Sequence, residues 1–346
     1  MIRYVKPVRS SAARGIVAQV YREIKHEFGT LGEPLTLHSP IPDLLVGVWS
    51  AFRECLLSGQ APRELKEAVA VTVSRLNRCP YCIDAHSIML HAAAAHSTAG
   101  AIQSNRDNEI EDERMRSIVA WAAATRTPGH PILLSHPFDS QDAPELIGTA
   151  VWVHYINRMV HVFLNKKLVP ISSNLFGIRE AAERAGGWYF ARFVRRARQR
   201  AGPGIEIPGR GLPEDLKWSA AAHPIARAFG IFAAATDAAG AATLPAEVRA
   251  CVLERLAKWD GADPGLDRSW LELPVRTLSS EHKPRARLAL LGAFAPYQID
   301  GDVIREFRSR QAFDQELLGC LAWASFAAAR TIGTWLWKDT AGNPAK

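Results

Sequence analysis

Apolar residues recur along this chain at spacings of three and four, in stretches separated by short clusters of Pro, Gly, Asn and Ser. That period marks helices with one buried face, and the β-branched runs are too short for strands. The pattern predicts an all-α chain with helices at about 11–27, 41–58, 63–77, 80–96, 108–126, 143–164, 174–200, 222–238, 246–259, 283–294 and 314–337. Ser10 and Ser11 stand where a first helix cap belongs, and Pro62 and Pro80 suit first-turn positions. The segment Ala201-Gly202-Pro203-Gly204 through Pro208-Gly209-Arg210-Gly211-Leu212-Pro213 cannot continue a helix. It reads as a linker over 201–213, dividing the chain into units 1–200 and 214–346.

The two units look alike. Glu145-Leu146-Ile147-Gly148 with Trp152 matches Glu316-Leu317-Leu318-Gly319 with Trp323 at an offset of 171 (316 − 145). Arg114 and Arg116 match Arg285 and Arg287 at the same offset. Upstream, Gly47, Pro62, Glu64 and Leu65 match Gly230, Pro245, Glu247 and Val248 at an offset of 183 (245 − 62). One helical unit used twice is the reading these ungapped offsets suggest. Chance alignment of alanine-rich helices is the alternative. The second copy is shorter by 12 residues (183 − 171) where the first carries its cysteines, and Ala250 stands opposite Glu67. It is thus expected to be a degenerate repeat.

At 346 residues and 48% apolar, the chain can bury substantial cores. No window reads as a membrane span: Leu317–Ala329 is uncharged but short, and lies between Glu316 and Arg330. The start, Met1-Ile2-Arg3-Tyr4-Val5-Lys6, lacks an apolar signal core, so a cytoplasmic location is expected. Five cysteines, Cys55, Cys79, Cys82, Cys251 and Cys320, are too sparse for a secreted disulfide framework. The net charge of +7 owes much to Arg192, Arg195, Arg196, Arg198 and Arg200. A solvated helix end accounts for that run, and no nucleic-acid motif accompanies it.

The chemistry concentrates between Glu67 and His86. Asn77-Arg78 breaks one helix and Pro80 starts the next, which puts Cys79 at the helix cap and Cys82 in the first turn. Free N–H groups there favour a thiolate and lower its pKa. Cys79, Cys82 and His86 are spaced three and four apart and share a helical face. An imidazole one turn from a thiol can take its proton. Glu67 lies among Ala68, Val69, Ala70 and Val71, where burial should raise its pKa and suit it to relay protons. Other readings are an ordinary core pair of cysteines, and a zinc site of Cys79, Cys82, His86 and Glu67 that lacks the usual second ligand pair.

The pattern E-x11-C-x-x-C-x-x-x-H, with Cys79-Pro80-Tyr81-Cys82 and the upstream Leu37-His38-Ser39-Pro40, resembles the alkylhydroperoxidase D (AhpD-like) branch of the carboxymuconolactone decarboxylase family. The likeness covers about 34–165, with a weaker copy at 222–338 that lacks the motif. It implies an AhpD-like helical bundle that assembles as a homo-oligomer. It also implies a dithiol that reduces hydroperoxides or relays electrons from a lipoyl or thioredoxin-like donor, in some cases to a peroxiredoxin. Carried over, it makes Cys82 the attacking thiolate, Cys79 the resolving cysteine, and His86 with Glu67 the proton relay, without metal or organic cofactor. Tyr81 departs from the best-known members, which have histidine there, and leaves a phenol that only donates or relays a hydrogen bond. A helical scaffold without catalysis, and a lyase- or decarboxylase-like activity on a small organic acid, are the competing functions.

Overall fold

The computed structural model describes residues 2–164, 168, 178–197, 208–309 and 313–337. Among them there is no strand, only an isolated bridge between Ile2 and Leu164. The longer helices are α1 (Gly15–Glu27), α2 (Pro42–Phe52), α3 (Arg63–Leu76), α4 (Pro80–Ala92), α5 (His96–Gln103), α6 (Glu113–Ala124) and α7 (Ala143–Phe163). They continue with α8 (Ile178–Ala197), α9 (His223–Thr243), α10 (Ala246–Ala257), α11 (Lys283–Phe294), α12 (Gly301–Arg308) and α13 (Asp314–Leu336). The fold is all-α, as the periodicity predicts.

Several ends differ from the expected ones, each for a local reason. Helix α1 starts at Gly15 with Arg14 as its cap, so Ser10 and Ser11 lie outside it. Pro62 caps α3 from one position before the first turn, whereas Pro80 is the first residue of α4. The stretch expected as one helix to residue 96 stops at Ala92, because Ala94 takes a left-handed φ of 67° and the chain restarts at His96. Asp112 accepts from the Met115 amide and fixes the start of α6 there. Helix α12 lies where no helix was expected; the Asp300 side chain accepts from the Asp302 and Val303 amides and starts it. In the expected 174–200 helix, residues 174–177 and 198–200 fall outside the described residues, as do 201–207 of the linker.

One apolar cluster runs from Val5 to Leu336 and takes in both halves of the chain. Its middle is made by helices that correspond in the sequence alignment: α2 packs on α9, and α7 on α13. The crossings are close. A Cβ on Gly47 would stand 2.7 Å from the Phe232 Cα, and one on Gly148 would stand 2.9 Å from the Cys55 side chain. Gly319 of α13 abuts Thr243 and Ala239 of α9. Phe232 stacks at 4.0 Å on Phe326, and Tyr155 meets Phe232 edge-on at 4.9 Å. Helix α13 has the length and composition of a membrane span, but 78% of its most apolar window is buried inside the fold.

Beneath α2 lies a buried ion pair, Lys66 with Glu145, at 2% and 7% side-chain exposure. Glu145 also accepts from the Gln60 amide at 2.7 Å and the Ala61 amide at 3.2 Å, and Lys66 donates to the Ser58 carbonyl. The pair therefore ties α3, α7 and the turn before α3 together. Gly59 has φ +96°, and a Cβ there would meet the Glu145 carboxylate at 2.3 Å. Removing one partner strands the other as a buried charge. Glu145→Ala should lower unfolding free energy by about 3–5 kcal/mol, and Lys66→Met with Glu145→Leu together should recover most of it. Urea denaturation checks this; a single mutant as stable as the parent would contradict it.

Candidate active site

Helix α3 ends at Leu76, Arg78 turns the chain with φ +53°, and Cys79 caps α4. The Cys79 amide donates to the Ser74 carbonyl at 2.9 Å, which pins the cap against the end of α3. Cys82 is one turn on, and its Sγ lies 2.9 Å from that of Cys79. All five cysteines are free thiols. Cys79 is fully buried, while Cys82, nearly so, borders a cavity of about 560 Å³. Glu67, Tyr81 and His86 line the same cavity, with apolar walls from Phe28, Leu31, Leu56, Trp152 and Ile156. The structure thus brings together every residue the sequence singles out, with Cys79 behind Cys82 and away from the cavity.

The α3–α4 contact that places the imidazole is a 2.7 Å hydrogen bond between His86 Nδ1 and Glu67 Oε2. Arg63, one turn before Glu67, donates from Nε to Glu67 Oε1 at 2.7 Å. Both Arg63 and Glu67 are buried. Burial alone would push the Glu67 carboxyl up, the direction expected from its apolar neighbours in sequence. The Arg63 guanidinium and the His86 hydrogen bond outweigh it, and the carboxyl is held below its usual value. Glu67 is therefore an ionised group that orients His86, and not a carboxylic acid near neutral pH. An ionised Glu67 accepts the hydrogen bond from Nδ1–H of the His86 ring, which leaves Nε2 as the ring's acceptor.

The thiols also differ from expectation. Burial pushes the Cys82 thiol well up, reinforced by the Cys79 sulfur and the Asp84 charge, with Asn157 opposing by a hydrogen bond. Desolvation here overrides the helix start that was expected to favour a thiolate. Cys82 therefore rests as a neutral thiol. Burial likewise raises the Tyr81 phenol, so it stays protonated at neutral pH. Among the described residues, no three His, Cys, Asp or Glu side chains converge on a metal-sized point.

Helix α7 adds residues that sequence spacing did not reveal. Asn157 accepts from Asn77 at 2.9 Å and donates to Ser74 at 3.2 Å. Asn77 also reaches His154 at 3.0 Å, and its carbonyl lies 2.9 Å from His161 Nε2. This polar lattice fixes the turn that carries Cys79. The i, i+4 spacing of Arg63 and Glu67 is a local signal that the sequence reading missed; Asn157 lies too far along the chain for any such signal. His38 is buried and bonds the Tyr155 hydroxyl at 2.8 Å, and burial lowers its pKa to about 4. Its other ring nitrogen meets the carbonyl of Leu35, a residue of the cavity wall, at 3.3 Å.

The chain is all-helical, with two thiols at a helix start and an imidazole–carboxylate pair beside them. This chain belongs to the carboxymuconolactone decarboxylase family, whose model matches residues 44–98, the span from α2 to α5 that holds Glu67, Cys79, Cys82 and His86. A Mycobacterium tuberculosis protein described as an alkyl hydroperoxide reductase is 38% identical over 345 residues, covering 100% of this chain and 98% of that one. No solved structure matches the chain.

The depressed Glu67 pKa makes a statement about stability. Its folded value lies below the unfolded one, near 4.3, so the unfolded chain holds that proton more readily. The stabilisation is complete above roughly pH 5 and is lost as pH falls through the folded value. Unfolding free energy should therefore drop below about pH 4, and Glu67→Gln should remove part of that slope. Urea midpoints from pH 3 to 7 check this; equal slopes in the two proteins would contradict it.

Proposed function

We propose that this protein is a CxxC-dependent peroxidase that reduces alkyl hydroperoxides through the Cys79/Cys82 dithiol. The observation that carries the reading is Cys82 at the wall of an apolar cavity, with the Cys79 sulfur 2.9 Å behind it and the oriented His86 alongside. The description of the M. tuberculosis relative agrees with it.

In this reading His86 Nε2 takes the Cys82 proton, directly or through one water, as the peroxide enters. The thiolate attacks a peroxide oxygen: an S–O bond forms, the O–O bond breaks, and the departing alkoxide takes the proton back from His86. Cys82 is now a sulfenic acid. The Cys79 sulfur attacks the Cys82 sulfur, an S–S bond forms, and the S–O bond breaks with release of water. Tyr81 supplies a hydroxyl on the cavity wall for the leaving oxygen. An external dithiol, a lipoyl or thioredoxin-like protein, then reduces the disulfide and leaves as its own disulfide; in the relay variant an oxidised peroxiredoxin replaces the peroxide, and its disulfide is reduced as Cys79 and Cys82 form theirs. Glu67, charged through Arg63, fixes the tautomer of His86 throughout.

Cys82→Ser should abolish hydroperoxide consumption with dihydrolipoamide as donor. Cys79→Ser should accumulate a sulfenic acid that a dimedone probe labels on Cys82. Label on Cys79 would reverse the two roles, and full hydroperoxide consumption in Cys82→Ser would contradict the dithiol mechanism. Glu67→Gln should lower kcat/KM by about 10²-fold and alter the pH–rate profile, since the isostere no longer selects the tautomer. An unchanged profile would make Glu67 a structural group only.

A further inference from the structure

A second cavity, of about 210 Å³, lies against a different face of α7. Its walls come from the turn between α3 and α4, from α7, from Arg126, and from residues 263–266 and 294–297 of the second half. The polar lining is basic: Arg78, Arg126, Arg158 and His161 against one acid, Asp263. That acid is already engaged. Arg126 Nη2 holds Asp263 at 2.6 Å and the Gly261 carbonyl at 2.6 Å.

Arg158 is the unusual member. It is 5% exposed, and its bonds run from Nε to the Ala293 carbonyl at 3.0 Å and from Nη1 to the His154 carbonyl at 2.7 Å. Neither uses Nη2, and no carboxylate among the described residues forms an ion pair with it. Burial, with Arg126 nearby, lowers its pKa to about 9, so it remains cationic at neutral pH. The Trp259 ring lies 5.8 Å from the guanidinium and the Asp263 charge acts on it through space, yet its hydrogen bonds go only to carbonyls, so a bound anion would stabilise it further. Arg78 stands exposed at the same cavity, on a backbone with φ +53°, and also pairs with no carboxylate among the described residues.

We propose that this cavity binds a small oxyanion, a carboxylate or phosphate group, on Arg158, with Arg78 closing over it. A guanidinium suits either group because its donors match two oxygens at once. The volume is below that of a site for a drug-sized ligand, roughly 300–1,000 Å³, so the ligand is a compact acid and not a nucleotide. Asn77 and Asn157 line the cavity and belong to the lattice that holds the turn before Cys79, so the anion would share that lattice with the dithiol.

Isothermal titration of the full chain with inorganic phosphate and, separately, acetate, at constant ionic strength, tests this. One saturable site per chain is expected. Affinity should fall about tenfold in Arg78→Asn, a residue that tolerates positive φ, and binding should vanish in Arg158→Gln. Phosphate binding alone, or acetate binding alone, would support the site and identify its anion. No saturable binding of either, or parental affinity in Arg78→Asn, would overturn the proposal. Arg78 is exposed, so the second criterion holds even where Arg158→Gln fails to fold. No thiol takes part in the measurement, which separates its failure from failure of the peroxidase reading.

Discussion

The 2.7 Å hydrogen bond between Glu67 and His86 joins two helices where the carboxylate is fully buried and the imidazole nearly so. A lone buried carboxylate there would take up a proton, and its geometry would loosen. Arg63, one turn away on the same helix, keeps it charged. That charge fixes which nitrogen of His86 carries the proton and where the ring points. The ring in turn borders the cavity that Cys82 faces. A salt bridge within α3 thus reaches the chemistry of α4 through one hydrogen bond, and the register of the two helices is set by the same contact.

The rest of the fold holds that contact still. Helices α9 and α13 of the second half cover α2 and α7, with glycines at the crossings that admit no side chain. Lys66 and Glu145 fasten the start of α3 to α7 on one side, and the Asn77–Asn157 lattice fastens its end on the other. Helix α3 is therefore tied to α7 at both ends, and Arg63, Glu67 and the turn into Cys79 come with it. The second half has no C-x-x-C in its sequence, and its helices α9 and α13 pack against α2 and α7.

The local chemistry was legible in the sequence because it is local. Glu67, Cys79, Cys82 and His86 lie within two consecutive helices, and helical periodicity alone places the last three on one face. What the sequence hid is the electrostatics. Apolar neighbours in the chain suggested a protonated Glu67, yet Arg63 supplies the opposing charge. A helix start suggested a thiolate at Cys82, yet a core closed by residues from α7 desolvates it. Both errors arise because pKa follows three-dimensional surroundings. Asn157, His154 and Tyr155 could not be found by spacing, since they meet the site only after folding. The break at 93–95 sits in an alanine run with no glycine or proline to announce it.

The central claim is that Cys79 and Cys82 form one redox unit driven by peroxide. A single-turnover reaction reads it directly: the reduced chain, one equivalent of cumene hydroperoxide, rapid alkylation of remaining thiols, and peptide mapping. The account predicts loss of two alkylation sites, at Cys79 and Cys82 together, with a Cys79–Cys82 disulfide and with Cys55, Cys251 and Cys320 still alkylated after unfolding. Unreacted Cys79 and Cys82, or an oxidised Cys82 beside a free Cys79, would contradict it.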